Sequence, residues 1–171
     1  MKKTYHLSLI TYHLSRGFTL IELLISMGLM SVILTILTSL FVSVIEAQLE
    51  SQATSSVDQD GRFILTRLSY DIHRANSIVI PATLGGQGET LQFISSGITY
   101  TYTLNGSILN LTDNTGTEIV NSPRTTVTNV SFRRLGNTLS GKNTIEIQFT
   151  VTSTVTRPQE TRTYKTTVGI R

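Results

Sequence analysis

Few residues in this 171-residue chain could do chemistry, and they are unevenly placed. There is no Cys, which excludes disulfides, thiolate metal sites and cysteine nucleophiles together. His6 and His13 lie near the N-terminus, so His73 is the one imidazole in the body. A His-based zinc centre or a Ser-His-Asp triad therefore lacks its material there. No phosphate-binding glycine loop, nucleophile elbow or zinc-binding helix motif occurs. Asp58-Gln59-Asp60-Gly61 opens like a calcium loop, but Ser69 stands near the position of the closing acid, and the stretch reads as a solvated helix face. Asp113-Asn114 reads as turn chemistry, its side chains bonding their own backbone. Arg133 and Arg134 point to opposite faces of a strand and, with Arg124, read as solubilising charge rather than one basic patch. Tyr100 and Tyr102 share a strand face suited to packing on a helix. The expectation is no enzyme, no cofactor and no metal.

One residue stands out against that quiet background. Glu22 sits inside an apolar run that opens at Phe18, and from Leu23 to Ile45 no charged residue follows. As a helix that stretch rises about 35 Å, against a hydrocarbon core of roughly 30 Å, so it can span a bilayer once. A carboxylate near the bilayer interior costs roughly 2.5–3.5 kcal/mol and calls for a partner. An amine at Phe18, released by cleavage after Gly17, would supply one within the chain or between packed chains. Lys2, Lys3 and Arg16 precede the span and Glu46 and Glu50 follow it. The N-terminus is thus expected in the cytoplasm, with the bulk of the chain beyond the inner membrane. Without those three basic residues the chain carries equal numbers of acidic and basic side chains, so nucleic acid is not an expected partner. The bland alternative is a plain signal anchor holding a soluble domain.

The run Arg16-Gly17-Phe18-Thr19-Leu20-Ile21-Glu22-Leu23-Leu24 closely resembles the prepilin processing motif of type IV pilins and type II secretion pseudopilins. The resemblance implies a cytoplasmic leader, residues 1–17, removed by a prepilin peptidase that cleaves between Gly17 and Phe18 and N-methylates Phe18. It implies that Glu22 meets the N-terminus of a neighbouring subunit during assembly. The implied partners are the peptidase, other pilins or pseudopilins, and indirectly an assembly platform with its ATPase. Glu22 departs from the K-type tip pseudopilin, which lacks that glutamate. Calcium binding, known among major pseudopilins, remains open on this resemblance.

Beyond the span, Val57, Ile64, Leu65, Leu68, Ile72 and Ala75 recur at helical steps, with Asp58, Arg62, Arg67, Asp71 and Arg74 mostly between them. This predicts an amphipathic continuation over 46–76, with Gly61 weakening it or marking a bend. The alternative is two helices joined near 51–56. From 77 to 171 the period changes to two. Strands are expected at Ser77–Ile80, Thr90–Ser95, Ile98–Leu104, Ile108–Leu111, Thr126–Leu135, Ile145–Val151 and Thr161–Ile170, with Asn105-Gly106 as a type I′ hairpin pair. Further turns are expected at Gly85-Gly86, Asn114-Thr115-Gly116, Gly136-Asn137, Gly141-Lys142-Asn143 and Arg157-Pro158. The fold class is α+β: a long N-terminal helix, a transmembrane half (18–45) plus the amphipathic half, packed on an antiparallel sheet meander.

Residues Arg67 to Ile78 resemble the helix-end segment of J-type pseudopilins and W-type minor pilins, with His73 where Arg is more usual. The resemblance favours a minor pseudopilin or minor pilin assembled from the inner membrane into a filament. Alternatives are a filament-tip binding module for adhesion or DNA uptake, and a membrane-anchored hydrolase.

Overall fold

The computed structural model describes residues 17–136, 143–155 and 159–170. Leader residues 1–16 and the turn positions expected at 137, 141–142 and 157–158 lie outside the described residues. Helix α1, Leu20–His73, passes through two compact units, Met1–Ser43 and Val44–Arg171.

In the first unit every described side chain is exposed. The helix is long and apolar enough to cross a membrane. Its hydroxyls are turned back on its own backbone: Ser31 Oγ donates to Gly28 O at 2.8 Å, Thr35 Oγ1 to Ser31 O at 2.9 Å and Thr38 Oγ1 to Leu34 O at 2.8 Å. Self-bonded hydroxyls leave no donor stranded in hydrocarbon.

In the second unit, α1 buries Ala53, Val57, Gly61, Ile64, Leu68, Asp71 and Ile72, a stripe at three- and four-residue steps. The helix runs through 51–56 without a break, because Ala53 and Val57 are already anchored there. Two antiparallel sheets cover the stripe. The first contains β1 (Ser77–Ile80), β3 (Leu91–Ser95), β4 (Ile98–Asn105), β5 (Ile108–Thr112) and β6 (Thr117–Ile119), in that order. The second runs β2 (Gln87–Gly88), β7 (Thr125–Leu135), β8 (Thr144–Ser153) and β9 (Thr161–Gly169). The expected single meander is therefore two. The break falls at Asn121, which is buried and occupies backbone groups on both sides. Its Oδ1 accepts from Leu109 N at 2.9 Å and its Nδ2 donates to Thr125 O at 2.9 Å. Pro123 follows and brings no amide for a ladder.

The hairpin at Asn105-Gly106 also differs from expectation. Asn105 pairs with Ile108 as the last residue of β4, and the loop is Gly106-Ser107. Positive φ occurs only at Gly106, as a type II′ turn requires, not at two positions as in type I′. This register sets Leu104 opposite Leu109 and Tyr102 opposite Leu111, apolar against apolar.

Gly61 marks close packing rather than a bend. A Cβ there would come within 2.1 Å of Cζ of Tyr164 on β9. That ring stacks on Phe149 at 5.5 Å, and its hydroxyl donates to Val57 O at 3.1 Å.

Candidate processing and assembly sites

The first site is the start of α1. Thr19 is its N-cap: Thr19 Oγ1 accepts from Glu22 N at 3.3 Å, and Thr19 O accepts from Leu23 N at 3.1 Å. Thr19-Leu20-Ile21-Glu22 has the spacing of a capping box, so Glu22 also stands in the first turn, where the positive end of the helix dipole favours a carboxylate. Because the cap fixes the helix start, Gly17 and Phe18 lie outside it and are exposed, Phe18 at 76%. Among the described residues, a Cβ at Gly17 would meet nothing within 4 Å, and the same holds at Gly28 in the span. Among the described residues nothing packs on Gly17. Glu22 has no ion-pair partner among the described residues. The cap itself escaped the sequence reading, although the T-x-x-E spacing before an apolar run was there to find.

The second site is the end of α1, where Arg67 to Ile78 turn into β1. Asp71 is 1% exposed, not solvated as its place among polar residues suggested. Its Oδ2 accepts from Tyr102 Oη at 2.6 Å and from Arg67 Nε at 3.2 Å, and its Oδ1 lies 3.4 Å from Arg74 Nε. Arg67 also reaches Glu118 of β6 at 3.5 Å. Burial, and then the bond to Asp71, push the Tyr102 phenol well above its usual range. Arg74 lies over the rings of Tyr70 and Tyr100, at 5.3 and 5.0 Å, and Tyr100 stacks on Phe93 at 5.4 Å. Ser95 Oγ donates to Arg74 O at 2.9 Å, and Asn76 N to Ile94 O at 2.7 Å, carrying the helix end onto β3. These contacts bring Tyr100 and Tyr102 against the helix, as expected. His73 is exposed.

The remaining acidic residues singled out in the sequence also have structural partners. Asp60 Oδ2 accepts from Ser122 N at 3.0 Å, from Ser122 Oγ at 2.7 Å and from Thr125 Oγ1. Asp58 meets Arg162 at 2.6 Å and Tyr164 Oη at 3.2 Å. The resemblance of 58–61 to a calcium loop therefore dissolves into ties between helix and sheet. Asp113 closes its own turn, Oδ1 accepting from Thr115 N at 2.7 Å and Thr115 Oγ1 at 2.6 Å; those bonds hold its carboxyl below the usual range. Arg134 is no solubilising charge. Its guanidinium donates to Pro81 O at 3.1 Å and Ala82 O at 2.8 Å, holding the loop after β1.

A family model described as the prokaryotic N-terminal methylation motif matches residues 13–38. No curated protein and no solved structure matches the chain. The motif implies processing by a prepilin peptidase and assembly with other pilins. The match takes in Gly17, Phe18 and the start of α1, so the chain carries the methylation motif typical of type IV prepilin-like proteins.

Proposed function

We propose that this chain is a subunit of a type II secretion pseudopilus or type IV pilus, made as a prepilin with a 1–17 leader. Prepilin peptidase cleaves between Gly17 and Phe18 and methylates the new amine. The subunit waits in the inner membrane with its N-terminus at the cytoplasmic face and its strand-rich part outside. The role is structural rather than catalytic. The carrying observation is the match over 13–38 together with an exposed Gly17-Phe18 bond placed just outside a capped helix. Among the described residues no neighbour crowds Gly17, which supports an external reader of that position, and the peptidase is the reader that the motif implies.

Glu22 is exposed in the first helical turn, and in lipid its charge costs roughly 2.5–3.5 kcal/mol. Meeting the Phe18 amine of a neighbour removes that penalty and fixes the helix register. The exposed apolar side chains along 20–45 then exchange lipid for neighbouring helices. The Arg67–Ile78 segment, organised around buried Asp71, supports a minor subunit of the J or W type. The test is Gly17→Ala in the native host, read by immunoblot. The leader is expected to stay attached; normal processing of that variant would remove the cleavage assignment.

A further inference from the structure

The two sheets end in four edge strands, and three of these are blunted. Strand β2 has two residues and β6 has three. Strand β1 has four, and its register with β3 shifts between Ile78 and Ile80. Short or bulged edges are the usual protection against an unwanted added strand. The fourth edge, β9, lacks that protection. Its nine residues, Thr161–Gly169, contain no Pro and pair with β8 in one unbroken register. Its two cations are already neutralised, Arg162 by Asp58 and Glu160 and Lys165 by Glu146.

The bonds that flank β9 show which way its backbone groups turn. Ser153 N donates to Glu160 O at 2.9 Å, and Ile170 N to Asn143 O at 3.0 Å. Bonded pairs recur at every second residue of an antiparallel ladder, so Arg162, Tyr164, Thr166 and Val168 turn their N–H and C=O toward β8. Thr161, Thr163, Lys165 and Thr167 turn theirs outward, and no strand among the described residues pairs with them. Beside that edge runs one side of α1. Asp58 meets Arg162 there, and Val57 O accepts from Tyr164 Oη. Arg62, Leu65 and Ser69 continue that side at helical steps from Asp58. Leu65 is half-buried against the core. Burial raises the Tyr164 phenol and the charge of Arg62 pulls against it, so that guanidinium stands near the strand. Arg62 is exposed and has no ion-pair partner among the described residues.

We propose that the free edge of β9 takes an extended segment of a partner protein as one more strand of the second sheet, laying an apolar side chain on Leu65 and an acidic one on Arg62. The outward backbone groups of Thr163, Lys165 and Thr167 supply the ladder, which holds any extended chain. The helix flank supplies the choice among chains. Charge complementarity selects an acidic segment, because Asp58, Glu160 and Glu146 are already taken by Arg162 and Lys165 and leave Arg62 unmatched. A second copy is the poorer occupant: antiparallel pairing of β9 with itself in full register sets Lys165 against Lys165. The contact lies apart from the processing site and from the apolar half of α1, so it does not depend on the filament reading.

The test uses the full chain in detergent and a fluorescein-labelled peptide as long as β9, alternating Thr and Val with Glu in place of the third Val. Laid antiparallel on β9 in full register, that Glu falls opposite Tyr164, on the side of Arg62. Saturable binding is expected in an anisotropy titration. Thr167→Pro removes an outward N–H and no ladder bond, so it should weaken binding about tenfold or more and leave the urea midpoint in place. Arg62→Glu, at an exposed helix position away from the strand, should weaken binding roughly tenfold, and Lys in place of the peptide's Glu should restore it. No saturation below about 1 mM, binding unchanged by Thr167→Pro, or binding indifferent to both charge changes would each overturn the proposal. The chain has no Cys, so introduced cysteines are unique. Oxidative linkage of Thr163→Cys copies to Thr167→Cys copies would assign the edge to a second copy and overturn it as well.

Discussion

Gly61→Ala tests the packing of α1 on β9, because two known effects oppose one another there. Replacing a helical Gly by Ala favours the helix by about 1 kcal/mol. Against that, the new methyl would overlap the Tyr164 ring, so the ring must move. Moving it breaks hydrogen bonds from Tyr164 Oη to Val57 O and Asp58 Oδ1, each contributing about 1 kcal/mol. It also disturbs the stack on Phe149, which contributes about 0.5–1.5 kcal/mol. The losses exceed the gain, and Gly61→Ala should lower stability by about 1–2 kcal/mol. In a Tyr164→Val background, where no ring reaches the helix, the sign should reverse and the same substitution should stabilise by about 1 kcal/mol. The assay is urea unfolding of the full chain in detergent, followed by tyrosine fluorescence, for both single variants and the double. Stabilisation by Gly61→Ala in the parent chain would refute the close approach and return the residue to the role of a helix bend.

Three further outcomes follow from the same contacts. Asp71→Ala should cost about 1–3 kcal/mol, since it leaves the buried Tyr102 hydroxyl without its acceptor and frees Arg67 and Arg74, which are part-exposed; a shift in the urea midpoint measures it. The Tyr102 and Tyr164 phenols are both raised, by burial first and by bonds to Asp71 and Asp58 next. The native state thus keeps protons that the unfolded chain releases above pH about 10, so their contribution is complete below that pH and is lost as pH rises beyond it. Tyr102→Phe should flatten the fall of stability between about pH 10 and 11.5 by up to about 1.4 kcal/mol per pH unit; an unchanged slope would contradict the buried pairing. Glu22→Ala should still be processed but should enter filaments poorly, which a pull-down of assembled material reads; undiminished incorporation would remove its register role.

The elements that the sequence made legible are those with an uninterrupted period. Ile98-Thr99-Tyr100-Thr101-Tyr102 and Ile145-Glu146-Ile147-Gln148-Phe149 alternate strictly, and β4 and β8 lie where that alternation places them. Strand β2 has two residues and β6 has three, all exposed, so neither leaves a pattern long enough to read. The division into two sheets turns on Asn121, whose partners Leu109 and Thr125 are fixed only by the fold. The acids of α1 misled for a related reason. On a helical wheel Asp58, Asp60 and Asp71 look like solvated charge, yet their partners Arg162, Ser122 and Tyr102 stand 31 to 104 residues away. Local spacing could not expose those pairs. At the N-terminus the opposite holds: Gly17, Phe18 and Glu22 form a contiguous signal, and the motif match over 13–38 contains them all.

The most direct test of the account is the mass of the N-terminal peptide of the protein taken from its native membrane. A chain beginning at N-methylated Phe18 is the expected result. A chain still beginning at Met1, in cells whose prepilin peptidase is active on other substrates, would contradict the prepilin assignment and leave a membrane-anchored strand domain in its place.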